Sequence, residues 1–129
     1  MRIRRIEKLI KMKIKNFLDV PLEKLNIHGG KGMCLHNTLY TSDDFEVSII
    51  FLNYTVIPCG GSFGIHTHEN DNEIYIVLEG TGVYFCNGEK VSVRSGDILI
   101  NPIGGTHYLE NSIDSEMRLL VFAVSQIEN

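Results

Sequence analysis

Segments rich in β-branched and aromatic residues recur about every ten residues along most of this chain, separated by turn-forming residues. Between two of them stands Asn87-Gly88, a strong hairpin signal because both residues tolerate positive φ in a type I′ turn. No convincing helical pattern is present between residues 28 and 129. This spacing predicts an all-β sandwich or barrel rather than alternating strands and helices. The predicted strands are 32–40, 45–57, 62–68, 73–80, 82–86, 90–94, 97–102, 106–111 and 117–124.

Composition sets the broad class of the protein. The chain has 129 residues, of which 43% are hydrophobic and 22% are charged, as is typical of one globular domain. Its three cysteines, Cys34, Cys59 and Cys86, are far apart and form no C-x-x-C motif. We therefore expect reduced thiols and a cytoplasmic location rather than a disulfide framework or a zinc ribbon. No apolar run approaches the roughly 20 residues that a membrane helix needs, so no membrane partner is predicted.

Charge is distributed unevenly along the chain. Residues 1–15 carry seven basic residues against one glutamate, a net charge of +6, whereas residues 16–129 carry a net charge of −10. A nucleic-acid-binding arm is not favoured, because the arm lacks aromatic or glycine interleaving and the body is acidic. We expect instead an extension that packs on its own barrel or a partner's. Its apolar stripe would consist of Ile3, Ile6, Leu9 and Ile10. The translation start stays open between Met1 and Met12.

The segment 64–75, GIHTHENDNEIY, places two histidines two positions apart and a glutamate five positions after the second. Residues two apart on a strand face the same side, so His66 and His68 point to one surface. The polar turn ENDN leads into the strand that begins at Glu73, and a hairpin there would bring this carboxylate beside them. His107, at the start of a later strand, can lie next to the pair in an antiparallel barrel. Three imidazoles and one carboxylate suit a transition metal better than Mg²⁺ or Ca²⁺.

Two linked motifs in the chain resemble those of single-domain cupins. The first, G-x5-H-x-H-x4-E-x6-G, is matched in GGSFGIHTHENDNEIYIVLEG, and the second, G-x5-P-x-G-x2-H-x3-N, in GDILINPIGGTHYLEN. Ten fixed positions at the family spacing are far more specific than an H-x-H pair alone. The flanking strands extend the resemblance to about residues 30–124. The matching residues are Gly60, His66, His68, Glu73, Gly80, Gly96, Pro102, Gly104, His107 and Asn111.

The resemblance implies a fold and a metal site. The fold is an antiparallel double-stranded β-helix, the jelly-roll barrel of the cupins of the type-2 conserved-barrel group, formed by residues 28–129. It would be preceded by a short basic extension, residues 1–27, that forms a helix or an added strand. The implied site holds one divalent transition metal, Mn, Fe, Zn or Ni, and the sequence leaves its identity open. The implied metal ligands are His66, His68, Glu73 and His107.

Strand parity indicates which residues surround such a metal. Those on the side of Glu73 are Tyr75 and Val77, and those on the side of His107 are Leu109 and Asn111. On the strand 45–57, either the set that contains Asn53 or the set that contains Tyr54 faces inward. The candidate pocket residues are His36, Tyr54, Tyr75, Val77, Leu109 and Asn111.

Catalytic roles can be assigned to few of these residues. Tyr75 is the candidate general acid or ligand contact, and Glu73 could combine metal binding with catalysis. His28 lies outside both motifs and is expected to make an ordinary polar contact, whereas His36 could line the pocket mouth. The interior is predicted to be mostly apolar, which favours a small, partly apolar ligand that chelates the metal through oxygens.

The resemblance implies a class of function without selecting one reaction. We expect a metal-dependent enzyme of the isomerase, lyase or dioxygenase type that acts on a small oxygen-rich metabolite. The alternative is a non-catalytic protein that binds a small molecule through its metal. The expected partners are a small-molecule ligand and a second copy of the chain, with no nucleic acid and no membrane. The homodimer is expected because the long apolar segment EVSIIFLNYTVI would invite pairing if it lay on a sheet edge.

Overall fold

The computed structural model describes residues 12–111 and 115–126. These ranges contain ten β-strands and one 3-10 helix, Ser42–Asp44, and hold no helix long and apolar enough to cross a membrane. The strands are β1 (Glu23–Leu25), β2 (Cys34–Thr41), β3 (Ile49–Ile57), β4 (His66–Thr67), β5 (Asp71–Glu79), β6 (Thr81–Cys86), β7 (Glu89–Arg94), β8 (Ile98–Asn101), β9 (Thr106–Asn111) and β10 (Met117–Ser125).

The strands form two antiparallel sheets. The larger sheet has the order β1-β2-β3-β10-β5-β8, and the smaller has the order β4-β9-β6-β7. Strands that are distant in the sequence are neighbours, because β10 lies between β3 and β5 and β9 lies between β4 and β6. Such connectivity is that of a jelly roll, in which two sheets enclose one core. The prediction of an all-β antiparallel jelly-roll barrel is confirmed.

The hairpin between β6 and β7 turns at Asn87 and Gly88, as the sequence predicts. Both residues have positive φ, 48° and 84°, as a type I′ turn requires. Strand β6 also pairs with β9 on its other side. The hairpin therefore supports β9, the strand that carries one of the predicted metal ligands.

The side chains of strand β3 alternate between the two faces of the larger sheet, and both faces are packed. Its residues Phe51, Asn53 and Thr55 face the interior, and Tyr54 and its outward neighbours face a second apolar cluster. The structure thus selects one of the two inward sets that strand parity allows. The central core between the sheets consists of Cys34, Ile57, Phe63, Tyr75, Val77, Tyr84, Val93, Leu109, Met117, Leu119 and Val121.

The described part of the N-terminal extension packs on the outer face of the larger sheet. The Phe17 ring contacts the Tyr54 ring, with centroids 4.8 Å apart, and Val20 and Leu22 join the same cluster. Strand β1 then pairs with β2, so residues 23–25 form an added strand. The predicted apolar stripe of the arm lies outside the described residues, and the domain boundary between residues 27 and 28 stays a prediction.

The long apolar strand β3 is not an edge strand. It pairs with β2 on one side and with β10 on the other, so its backbone groups are already used. In the described part of the chain, the edges of the larger sheet are β1 and β8. The expectation that β3 promotes dimerisation through edge pairing is therefore wrong, and the homodimer itself stays a prediction.

Candidate metal centre

Four side chains, three on strands and one directly after a strand, converge inside the barrel. His66 in β4 is registered opposite His107 in β9, His68 follows directly after β4, and Glu73 stands in β5. One ligand atom from each residue lies within 4.8 Å of all the others. The structure thus brings together the four residues that the sequence motifs single out. We refer to these four residues as the metal-side cluster.

The carboxylate of Glu73 lies at the centre of this cluster. Its Oε1 atom is 3.1 Å from Nε2 of His68 and 3.6 Å from Nε2 of both His66 and His107. Only the distance to His68 is short enough for a hydrogen bond. Glu73 is 6% exposed and His107 is 1% exposed, so the cluster lies inside the barrel wall. Three imidazole nitrogens directed at one carboxylate oxygen are a donor set that suits a transition metal.

Two of these nitrogens lack hydrogen-bond partners among the described residues. They are Nε2 of His66 and Nε2 of His107, and both are buried. Buried polar groups in proteins are nearly always paired, so a buried nitrogen without a partner indicates a ligand such as an ion. An ion bound between them and Glu73 would satisfy both nitrogens. The residues therefore fit a three-histidine, one-carboxylate metal site, and this donor set does not select among Mn, Fe, Zn and Ni.

Electrostatics within the cluster favour an ionised Glu73. Burial alone would raise the pKa of Glu73, but the neighbouring His107, His66 and His68 rings hold it well below its usual range. Burial alone would lower the pKa of His66, but its contact with Glu73 and its hydrogen bond to the Gly64 carbonyl raise it instead. A bound metal would replace protons as the partner of this carboxylate.

Hydrogen bonds on the far ring nitrogens orient two of the histidines. Nδ1 of His66 lies 2.8 Å from the Gly64 carbonyl oxygen, to which it donates a hydrogen bond. Nδ1 of His68 lies 3.2 Å from Oδ1 of Asp71. A partner at Nδ1 fixes the tautomer and leaves Nε2 free to coordinate a metal.

Glu73 is held through both its side chain and its backbone. Tyr75 hydrogen bonds to its carboxylate, and burial together with this carboxylate raises the pKa of the Tyr75 hydroxyl well above its ordinary value. The buried Asn101 amide donates a 3.0 Å hydrogen bond to the Glu73 carbonyl and accepts a 2.6 Å bond from the Tyr84 hydroxyl. Sequence reasoning missed Asn101 and Tyr84. The position of Asn101 directly before the motif residue Pro102 was the available signal.

His28, which lies outside both motifs, packs against the metal-side cluster. Its ring stacks on the His66 ring with centroids 3.8 Å apart, and its backbone has a left-handed φ of 54°. The loop is fixed by a 2.9 Å hydrogen bond from the Gly64 amide to the Ile27 carbonyl. A Cβ atom at Gly64 would clash with the His28 carbonyl oxygen, so this backbone contact requires glycine there. The structure therefore adds His28 to the surroundings of the site.

A cavity of about 300 Å³ opens beside the metal-side cluster. Most of its wall is apolar or aromatic, with a few polar groups, which is the usual composition of a small-molecule site. No lysine or arginine occurs among its described lining residues, so the wall offers no cationic side chain to an anionic ligand. The lining residues are Leu25, Asn26, Ile27, His28, His36, Phe51, Asn53, Thr55, Phe63, Glu73, Tyr75 and Val121.

The six candidate pocket residues fall in different places. His36 and Tyr75 line the cavity, whereas Val77 and Leu109 pack in the central core. Asn111 donates hydrogen bonds to backbone carbonyls, including that of Ile57 at 3.0 Å, and so joins two strands.

The assignment of Tyr54 to the pocket is wrong. Its ring lies on the outer face of the larger sheet, and its hydroxyl accepts a 2.7 Å hydrogen bond from Arg118. Apolar side chains cover both faces of β3, because Phe17 and its neighbours pack outside it. The hydropathy of this strand therefore does not reveal which face is internal.

Comparison with known proteins agrees with this site. The family model described as "Cupin domain" matches residues 53–123. A protein from Thermotoga maritima named "Oxalate-binding protein" is 30% identical over 99 residues, which are 77% of this chain and 82% of that relative. The chain belongs to the cupin family, as its two motifs indicate.

Two solved structures extend the comparison. A crystal structure described as a predicted oxalate decarboxylase from Thermotoga maritima has a TM-score of 0.84 at 27% identity, covering 88% of this chain and 99% of that one. The polyketide cyclase RemF from Streptomyces resistomycificus has a TM-score of 0.73 at 26% identity, covering 92% of this chain and 87% of that one. Relatives with different names thus share one barrel, so the reaction has to be argued from the site.

Proposed function

We propose that the metal-side cluster holds one divalent transition metal and that the adjacent cavity takes a small ligand bound through its oxygens. When bound, the metal would supply a Lewis acid for those oxygens. The observation that carries the proposal is the convergence of three Nε2 atoms on Oε1 of Glu73 at the cavity wall. The unpaired Nε2 atoms of His66 and His107 support it.

The ligand class follows from the cavity and from the relatives. The described lining has no lysine or arginine, so the charge of a carboxylate ligand has to be met at the metal end. The names of the curated relative and of the solved structure, both from Thermotoga maritima, refer to oxalate, a dicarboxylate that chelates through two oxygens. The mostly apolar wall adds a preference for a ligand with an apolar part. We therefore propose chelating carboxylates, 2-oxo acids among them, as the ligand class.

Binding without turnover is the function that the site supports best. The Tyr75 hydroxyl, the candidate general acid, is engaged by Glu73, and the raised pKa makes it a poor proton donor. The Glu73 carboxylate lies against three imidazoles and the Tyr75 hydroxyl and would itself hold the metal, which leaves it poorly placed to act as a base. The second candidate is an enzyme of the lyase, isomerase or dioxygenase type. It is favoured by the cavity-lining imidazoles of His28 and His36, which could transfer protons to or from a ligand.

The test uses metal-loaded and chelator-stripped protein side by side. Calorimetry should show that oxalate binds the protein loaded with Mn²⁺ or Zn²⁺ and that stripped protein binds at least about tenfold more weakly. The matched control is Thr67→Ala, which changes the residue between the two motif histidines and should bind oxalate as wild-type protein does. Equal oxalate affinity with and without metal would contradict the proposal. Consumption of oxalate or of a 2-oxo acid by loaded protein would favour the enzyme instead.

The proposal includes a homodimer in the cytoplasm that binds no nucleic acid. The outer face of the larger sheet beyond the N-terminal extension carries a shallow apolar depression, which a second copy could cover. Its lining residues are Phe45, Ile49, Leu52, Ile76, Leu120 and Phe122. Sedimentation at tens of micromolar should give a dimer, and a monomer would overturn this part of the proposal.

A further inference from the structure

Three polar side chains line the part of the cavity wall formed by β2 and β3, in the same sheet as Glu73 but away from it. They are His36 on β2 and Asn53 and Thr55 on β3, and all three line the cavity. We refer to them as the far wall. Polar residues on the inner face of two central strands are unusual, because such positions normally pack apolar side chains.

Two of these residues bond to each other, and the third keeps an unused acceptor. Nδ1 of His36 lies 3.0 Å from the Thr55 hydroxyl, and Nε2 of His36 lies 3.4 Å from the Thr38 hydroxyl. The Oδ1 atom of Asn53 is buried and has no hydrogen-bond partner among the described residues. Leaving a buried amide oxygen unpaired costs free energy that an apolar residue would avoid. The side chain therefore indicates a partner that comes from outside the protein.

The strand register gives the separation between the far wall and the metal end. Asn53 is opposite Val121 on β10, and Val121 is opposite Tyr75 on β5, the strand that carries Glu73. Neighbouring strands lie about 4.8 Å apart, so Asn53 is two strands, or about 10 Å, from Tyr75. His36 is registered opposite Thr55 and lies one strand further away.

The wall between these two ends is apolar. The side chains of Phe51, Phe63 and Val121 line the cavity and belong to the central core or pack against it. A ligand that touches both ends must therefore cross an apolar stretch. Oxalate, which has two carboxylates and no apolar part, would occupy only the metal end.

We propose that the ligand of this site has two polar ends. One end is a chelating 2-oxo acid or carboxylate at the metal-side cluster, the middle is apolar, and the other end carries a hydroxyl that donates a hydrogen bond to Oδ1 of Asn53. This inference rests on the proposed function, because it takes the metal end as the anchor. It assigns Asn53 as a specificity residue, with His36 and Thr55 forming the neighbouring polar surface.

The test compares two chelating dicarboxylate probes that differ only in the distal hydroxyl, butylmalonate and (4-hydroxybutyl)malonate. Calorimetry on Mn²⁺-loaded protein should show that the hydroxylated probe binds about tenfold more tightly, since a buried acceptor is satisfied only by that probe. Asn53→Leu should remove the preference and leave both metal content and oxalate affinity unchanged. If the leucine variant does not fold, Asn53→Ala, which cannot overpack the cavity, replaces it in the same test.

The outcomes separate this inference from the proposed function. If wild-type protein binds both probes equally, or if the Asn53 variants retain the preference, the inference is overturned while oxalate binding still supports the metal end. If neither oxalate nor either probe depends on metal, the proposed function fails, and this inference fails with it. A preference that disappears only in the Asn53 variants supports both.

Discussion

The metal-side cluster and the far wall lie in one cavity but differ in how the chain builds them. The cluster comes from residues 66–73 and His107, and adjacent strands β4 and β9 align His66 with His107 directly. The far wall depends on the register of β2 and β3, and the single strand β10 lies between β3 and β5, the strand of Glu73. Three of the four cluster residues are therefore close together in the chain, whereas the position of His107 and the whole far wall depend on long-range strand pairing.

The largest expected effect is a loss of metal binding at acid pH, and it concerns only the metal end. Histidine must be neutral to coordinate, and an imidazole with the ordinary pKa near 6.5 is about 30-fold more often protonated than neutral at pH 5, so protons compete strongly with the metal there. The raised pKa of His66 moves the onset of the loss to higher pH, and the lowered pKa of Glu73 keeps it ionised throughout. Metal titrations should show affinity falling by roughly 10⁴-fold from pH 7.5 to pH 5, about 30-fold for each of three coordinating imidazoles. A flat profile would exclude a three-histidine site.

The next effect concerns the backbone contact between Gly64 and the loop that contains His28. Gly64→Ala places a Cβ against the His28 carbonyl, a backbone atom that cannot rotate away, so it should destabilise the fold by about 3 kcal/mol. The matched control is Gly29→Ala, in the loop that contains His28, where a Cβ meets open space and only the left-handed φ of 70° is strained. That variant should lose about 1 kcal/mol. Denaturant unfolding measures both, and equal losses would show that the backbone contact is unimportant.

The features that the sequence could predict are those that depend on residues close together in the chain. The hairpin at Asn87-Gly88 and the shared side of His66 and His68 depend on residues close together in the chain, and the structure has both features. The pairing of His107 with His66 needed the family spacing in addition, because two separate segments must align.

The far wall could not be predicted in this way. Both faces of β3 are covered, one by the core and one by Phe17 and its neighbours, so strand parity left Asn53 and Tyr54 as equal choices. The position of His28 depends on a loop docked through Gly64, and no periodic pattern reports such a contact. Long-range packing of this kind is visible only in the folded chain.

A smaller effect should distinguish residues that hold the metal ligands in place from residues of the far wall. Tyr75→Phe removes the hydroxyl bonded to Glu73 and should weaken metal binding about tenfold, because such outer partners orient a ligand. Thr55→Val on the far wall should leave metal affinity unchanged. Competition with a fluorescent chelator measures both variants. Equal losses in the two would remove the distinction between the regions.

The smallest expected effect lies outside the cavity. Phe17→Ala removes a ring that packs on Tyr54 from the N-terminal extension and should cost about 1 kcal/mol of stability without changing metal affinity. Leu18→Ala is the matched control, since that side chain is 70% exposed and its loss should cost less than about 0.5 kcal/mol. Thermal unfolding and metal titration together check the pair. A loss of metal by Phe17→Ala would show that the extension supports the site.

The central claim is that four residues form one metal site. The direct measurement is the metal content of reconstituted and desalted protein, determined by elemental analysis for wild type, His68→Ala, His107→Ala and the control Thr67→Ala. We predict about one equivalent of a transition metal in wild type and in the control, and a large loss in both histidine variants. Full occupancy in both histidine variants, or no binding by wild type, would contradict the account.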